Sequence, residues 1–201
     1  MQDNARRHWR ITLNAPVVLG FFAACVAATA ANYLTGGVAN LLLFSTYRAS
    51  LLDPFMYLRL VGHVFGHAGW EHLFGNLSII LLLGPMLEEK YGSSTLIEVI
   101  LLTAVSTGII FNVFFPRSAL CGASGVCFAF ILLSSLTSFT EGEIPLTFVL
   151  VALLFLGQQV FEGLFVRDNV SNLTHIVGGL VGAFSGFALS GTKQGSSGSI
   201  F

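Results

Sequence analysis

Long apolar runs separated by short polar punctuation dominate this chain. The first covers about Ala15 to Leu34 and closes at Thr35-Gly36-Gly37. A second begins near Trp70, passes through Ile79-Ile80-Leu81-Leu82-Leu83 and stops at Leu87, before Glu88-Glu89-Lys90. The third covers about Ser94 to Phe115 and meets Pro116-Arg117, and the fourth, about Gly122 to Phe139, ends before Glu141-Gly142-Glu143. Pro145 to about Phe161 and Ser171 to about Leu189 complete six. A helix needs roughly 20 apolar residues to cross a hydrocarbon core of about 30 Å. The pattern therefore predicts an all-α polytopic membrane protein, a compact bundle of six transmembrane helices.

The connection from Gly36 to Gly69 does not read as a flexible linker. It is apolar and aromatic (Phe44, Tyr47, Phe55, Met56, Tyr57), with Asp53-Pro54 as a helix start. We expect a structured first loop with short helices lying in the membrane interface. The expected organisation is a cytoplasmic segment 1–14, one helical domain over 15–190 and a flexible tail 191–201 rich in glycine and serine. Arg6, Arg7 and Arg10 precede the first run, and Lys90 and Lys193 fall on the same side after six crossings. Arg48, Arg59, Arg117 and Arg167 fall opposite. The N-terminal cluster tips the balance toward both termini in the cytoplasm, with the plasma membrane as the expected location. The first run, about 20 residues long, exceeds the roughly 7–15 of a signal peptide and is read as an uncleaved span.

Composition sharpens this. Charged residues make up 9% and hydrophobic ones 54%, with mean hydropathy +0.81, against about 25% charged in a soluble domain. A net charge of −1 speaks against a nucleic-acid partner. Cys25, Cys121 and Cys127 sit in apolar runs without CxxC spacing and read as small buried hydrophobes rather than a disulfide or metal framework.

Against so apolar a background, a few polar residues carry the candidate chemistry, because ionisable and polar groups in hydrocarbon are costly. Ser124 lies in Gly122-Ala123-Ser124-Gly125 where the fourth helix begins, and unpartnered N–H groups at a helix start suit a developing oxyanion. It reads equally as a helix N-cap or a packing residue. His175 lies three residues before Gly178, which with Gly182 and Gly186 forms a small-residue stripe fit for close helix contact. An imidazole held there is either a general base for a serine on the neighbouring helix or a core histidine bonded to a carbonyl. His72 and Asn76, four apart on one helical face, are two donors able to complement an oxyanion. His63, His67 and His72 also raise a metal site, although their spacing matches neither HExxH nor HxxEH, and this cluster with His175 could supply ligands to a haem.

Taken together, HxxxHxxxxHxxxN, GxSG and HxxGxxxG, in that order within six spans with a long first loop, resemble the rhomboid intramembrane serine proteases over nearly the whole chain. The resemblance implies that Ser124 is the nucleophile and His175 its base. It implies that His72, Asn76 and the Ser124 backbone N–H form the oxyanion hole, with no metal and no cofactor. It gives His63 and His67 structural or water-retaining roles and makes Glu88 an interhelical cap at the cytoplasmic end of span two. The substrates implied are transmembrane proteins in a lipid setting, entering past span five near Gly157, Gln158 and Gln159. Two departures stand out. Leu58-Arg59 replaces the family's Trp-Arg, and Phe128 replaces a tyrosine that stacks on the catalytic histidine. The alternative is a non-catalytic relative that binds membrane clients, although such relatives typically lose the serine or the histidine.

Overall fold

The computed structural model describes residues 12–137, 143–165 and 169–192. Arg6, Arg7, Arg10, Phe139, Glu141, Gly142, Arg167, Lys193 and the 195–199 tail, all used above, lie outside them. The described residues are helical: α1 (Pro16–Leu34), α2 (Pro54–Gly62), α3 (Trp70–Tyr91), α4 (Ser93–Phe114), α5 (Ser124–Ser135), α6 (Leu146–Phe165) and α7 (Asn169–Thr192), with a π-helical turn at Asn40–Phe44. In α1, α3, α4 and α7 the helix is long and apolar enough to cross a membrane.

The expected fourth span is the one the structure revises most. It starts at Ser124 and ends at Ser135, 12 residues in all, which is about 18 Å of helix. That is well short of a roughly 30 Å hydrocarbon core. The Gly122-Ala123 segment stays outside the helix because Gly122 has φ 135°, a conformation that interrupts helical geometry and favours glycine. The short helix leaves its first residue, Ser124, partly buried. It packs against α3, α4, α6 and α7, and Val126, Ala129, Phe130, Leu132 and Leu133 have essentially no exposed surface.

Close helix approach, not hydrophobic segregation, holds such a bundle together, because lipid is as apolar as leucine. A Cβ on Gly178 would fall onto the Gly125 backbone, one on Gly182 onto the Ala129 backbone, and one on Gly186 2.6 Å from Leu136 Cδ1. The stripe read from the sequence is thus the face that α7 turns to α5. Gly84 does the same for α1, where a Cβ would stand 2.7 Å from Val18 Cγ2. Large side chains on the outer faces, Leu82 and Phe184 for example, remain exposed, as a lipid-facing surface allows.

The start of α1 shows how a distant residue completes a helix. Ala15 occupies the N-cap and has no side-chain acceptor, yet the N–H groups of Val17 and Val18 donate to Glu88 Oε1 and Oε2, both at 3.0 Å. The Ser93 hydroxyl donates to Oε1 at 2.7 Å. Glu88, on α3, therefore caps α1 from 70 residues away, the contact its resemblance implied. Glu88→Ala is expected to cost about 3 kcal/mol, because it removes a charged acceptor from one buried and two partly buried donors. Glu88→Gln should cost less, since one oxygen remains. Equilibrium unfolding in mixed micelles would read both.

The first loop is ordered, as its composition predicted. Asp53 Oδ1 accepts the Phe55 N–H at 3.0 Å and caps α2. Arg59, 3% exposed, pairs with Asp53 at 2.7 Å and lies 4.4 Å over the Tyr47 ring. The guanidinium holds the Asp53 carboxyl below its ordinary value. Leu51, Leu52 and Leu58 are exposed, which suits a loop resting in the lipid interface.

Candidate active site

The nucleophile candidate sits at the end of a short strand-like segment anchored by the first loop. Thr46 and Leu120 exchange backbone hydrogen bonds, both 2.9 Å, and the Thr46 side chain bonds Asn112 of α4. Two residues on, the Gly122 N–H donates to the His63 carbonyl at 2.9 Å. The Ala123 N–H donates to His67 Nε2 at 3.4 Å, while His67 Nδ1–H donates to the Phe65 carbonyl at 3.1 Å. Ala123 is the N-cap of α5 and Ser124 its first helical residue, so Ser124 does not act as an N-cap. Its N–H is one of the helix-start donors that lack an intrahelical partner.

The two donor candidates on α3 face this segment. A Cβ on Gly122 would lie 2.7 Å from His72 Cε1, 2.9 Å from His72 Nε2 and 3.7 Å from Asn76 Nδ2. Glycine at 122 therefore leaves room for the imidazole against the backbone that leads to Ser124. Asn76 is 8% exposed, and its Nδ2 is buried without a hydrogen-bond partner. A buried, unpaired amide donor carries a cost of about 1–3 kcal/mol, and such groups invite a functional explanation.

His175 arrives from α7 on the glycine stripe. Gly125 stands against Gly178 and near the Thr174 carbonyl, while the Phe128 ring lies flat on the His175 ring, 4.4 Å between centroids and 8° between planes. Ser124 and His175 are thereby carried to the same level of the α5–α7 crossing. Phe128 also meets Phe155 of α6 edge-on at 6.1 Å. The stack needs only a ring face, so phenylalanine fills a position where the family often has tyrosine. Near the proposed entry side, Gly157 and Gln158 lie on the exposed face of α6, and the side chain of Gln159 falls outside the described ones.

His63 and His67 are engaged with protein groups. His63 is 1% exposed; its Nδ1–H donates to the Leu60 carbonyl at 3.1 Å, and Nε2 faces the Thr107 hydroxyl at 3.3 Å. Burial pushes His63 and His67 down to about 4, with the neighbouring His72 adding to the effect at His67. Both rings bind fewer protons in the folded protein than in the unfolded chain, where the value is 6.5. Stability should therefore be fully present above about pH 6.5 and fall as pH drops toward 4, by on the order of 3 kcal/mol for each ring. Unfolding in detergent at pH 7.5 and pH 5 would check this, with the lower stability expected at pH 5.

Two contributors escaped the sequence reading. Thr46 pairs with Leu120 across a long stretch of chain, and only the polar Asn112 within an apolar helix signalled its partner. Cys127, read as an inert hydrophobe, points its Sγ at Asn76, 3.4 Å from the carbonyl oxygen and 3.8 Å from Oδ1.

Residues 54–192 match the Rhomboid domain family. The chain is 31% identical over 140 residues to rhomboid-related protein 1 of Caenorhabditis elegans, covering 65% of this chain and 39% of that protein. It is 27% identical over 160 residues to the chloroplastic rhomboid-like protein 11 of Arabidopsis thaliana, covering 73% and 55%. It is 26% identical over 141 residues to rhomboid protease GlpG of Haemophilus influenzae, covering 69% and 72%. The chain thus spans about half or less of the length of the first two relatives.

Proposed function

This chain belongs to the rhomboid family of multi-pass membrane proteins, and from that premise we propose that it is a serine endopeptidase that cleaves transmembrane proteins in or near their spans. The observation that carries the reading is the α5–α7 crossing. There the His175 ring lies flat on Phe128, one turn beyond Ser124, and the unpaired amide of Asn76 faces Gly122, two residues before Ser124. In the proposed reaction Ser124 Oγ attacks the scissile carbonyl while His175 accepts its proton. The charge on the tetrahedral oxygen is met by Asn76 Nδ2, the His72 ring and the Ser124 N–H. Collapse expels the amine, which takes the proton back from His175, and water then hydrolyses the acyl-enzyme with His175 again as base.

The proposed division of labour makes His67 a positioning residue, through its bond to the Ala123 N–H, and Phe128 the support that sets the His175 ring plane. A peptide bond in an intact helix is shielded by its own hydrogen bonds, so the substrate segment must unwind to reach Ser124. We assign both termini to the cytoplasm of a plasma-membrane protein, residues 15–190 to the catalytic domain, and substrate entry to the α6 side.

The test is covalent labelling. Purified protein in detergent is treated with a fluorophosphonate, which modifies activated serines, and the modified peptide is read by mass spectrometry beside cleavage of a single-span reporter. Labelling of Ser124 together with reporter cleavage is expected. A folded protein that binds the reporter, cleaves nothing and takes no label would instead be a client-binding relative.

A further inference from the structure

We propose that Cys127 is a positioning residue that sets the orientation of the Asn76 amide, so that its NH₂ end faces the oxyanion position; the proposal rests on the serine-hydrolase reading above. The Asn76 amide has two ends of similar size and opposite hydrogen-bonding character, an acceptor oxygen and a donor nitrogen. Only the nitrogen end can stabilise a negative oxygen, so whatever decides the orientation decides whether Asn76 helps or hinders.

The surroundings of Asn76 supply one such device. Cys127 is 1% exposed and lies in the first turn of α5, where its own N–H bonds the Ala123 carbonyl at 2.9 Å. Its Sγ stands 3.4 Å from the Asn76 backbone carbonyl oxygen and 3.8 Å from Oδ1; both oxygens can only accept, so the thiol is the donor and its one proton is shared between the nearer backbone oxygen and Oδ1. With Oδ1 drawn to the thiol, Nδ2 turns the other way, to within 3.7 Å of where a Cβ on Gly122 would be. There it is buried and donates to no protein group. The reversed amide would set NH₂ against a sulfur that accepts weakly and would aim lone pairs at the incoming negative charge. The same short helix thus carries the nucleophile at its first residue and the orienting thiol at its fourth, which keeps the two in register.

The experiment is a double-mutant cycle on purified protein, with steady-state cleavage of the single-span reporter in liposomes and thermal unfolding of every variant. Cys127→Val keeps an apolar group of similar size and removes the donor. It is expected to lower kcat about three- to tenfold with KM unchanged, against roughly a hundredfold or more for Asn76→Ala, which deletes the oxyanion donor itself. Cys127→Ala, which cannot overpack, should behave like Cys127→Val, and Cys127→Ser, which restores a donor, should recover most of the rate. In the Asn76→Ala background Cys127→Val should change kcat less than about twofold, because the group it orients is gone. Wild-type kcat in Cys127→Val and Cys127→Ala would overturn the proposal. So would losses that multiply with Asn76→Ala, or a serine variant no better than valine, since these mark a packing role. Equal cleavage by wild type and Ser124→Ala would instead remove the serine reading, and this proposal with it.

Discussion

Cleavage of a single-span reporter should fall to background in Ser124→Ala and in His175→Ala, a loss of about 10⁵-fold in kcat for each. The two losses should not multiply. A nucleophile without its base and a base without its nucleophile leave the same residual machinery, the donors around Gly122 and the binding surface, so Ser124→Ala/His175→Ala should be no slower than either single variant. Neither change should unfold the protein. Ser124 and His175 are only partly buried, and the closest α5–α7 approach is between backbones, at Gly125 with Gly178 and Ala129 with Gly182, so His175→Ala gives up the Phe128 stack but leaves that approach in place. Thermal unfolding within error of wild type, together with lost cleavage, would establish a chemical role. Equal loss of stability and activity would mark His175 as a core histidine, the other reading its sequence position allowed. Additive losses would also count against a dyad, because independent contributions multiply.

Gly178→Val should be the most disruptive single change to the structure. Its Cβ would land on the Gly125 backbone, and no side-chain rotation relieves a clash with main chain. The helices must part, and α5 has no slack to give because it packs against α3, α4, α6 and α7. The expected cost is about 3 kcal/mol or more, the upper range of overpacking. Activity should vanish before stability does, because the 4.4 Å Phe128–His175 stack sits on the same crossing and small displacements at a reacting centre are costly. Gly186→Ala is the matched control. Its added methyl would meet the Leu136 side chain, whose Cδ1 lies at the flexible end. Detergent unfolding and reporter cleavage of both variants would settle the comparison: similar mild effects would show that the stripe tolerates separation and that the crossing is not what holds the site.

How much of this was legible beforehand differs from residue to residue. The long apolar helices α1, α3 and α4 begin and end within a few residues of where the pattern placed them, because span length answers to bilayer thickness and the polar stops are local. The stripe at Gly178, Gly182 and Gly186 was equally visible, since the 3.6-residue period puts these positions on one face. The direction that stripe faces was not. A stripe of small residues serves any neighbour, and only the contacts with Gly125 and Ala129 identify α5 as the partner. The fourth span misled because Leu136 and Thr137 are compatible with continued helix, and hydropathy does not register a chain that turns early. The helix ends at Ser135, in turns that tie the Leu136 N–H to Leu133 and the Thr137 N–H to Ser134.

The sequence by itself determined that this is an apolar bundle of helices with a structured first loop. It also showed which few polar residues stand out against the lipid-like background: Ser124, His175, His72 and Asn76. These follow from transfer energies and helical periodicity, which act along the chain and need no partner. Only the tertiary structure decided how those residues are oriented. It threads the Ala123 N–H onto His67, bonds Gly122 to His63, caps α1 with Glu88 from α3 and turns Cys127 toward Asn76. Each of these is a directional hydrogen bond between segments far apart in sequence, and nothing local distinguishes the donor that will find its acceptor from one that will not.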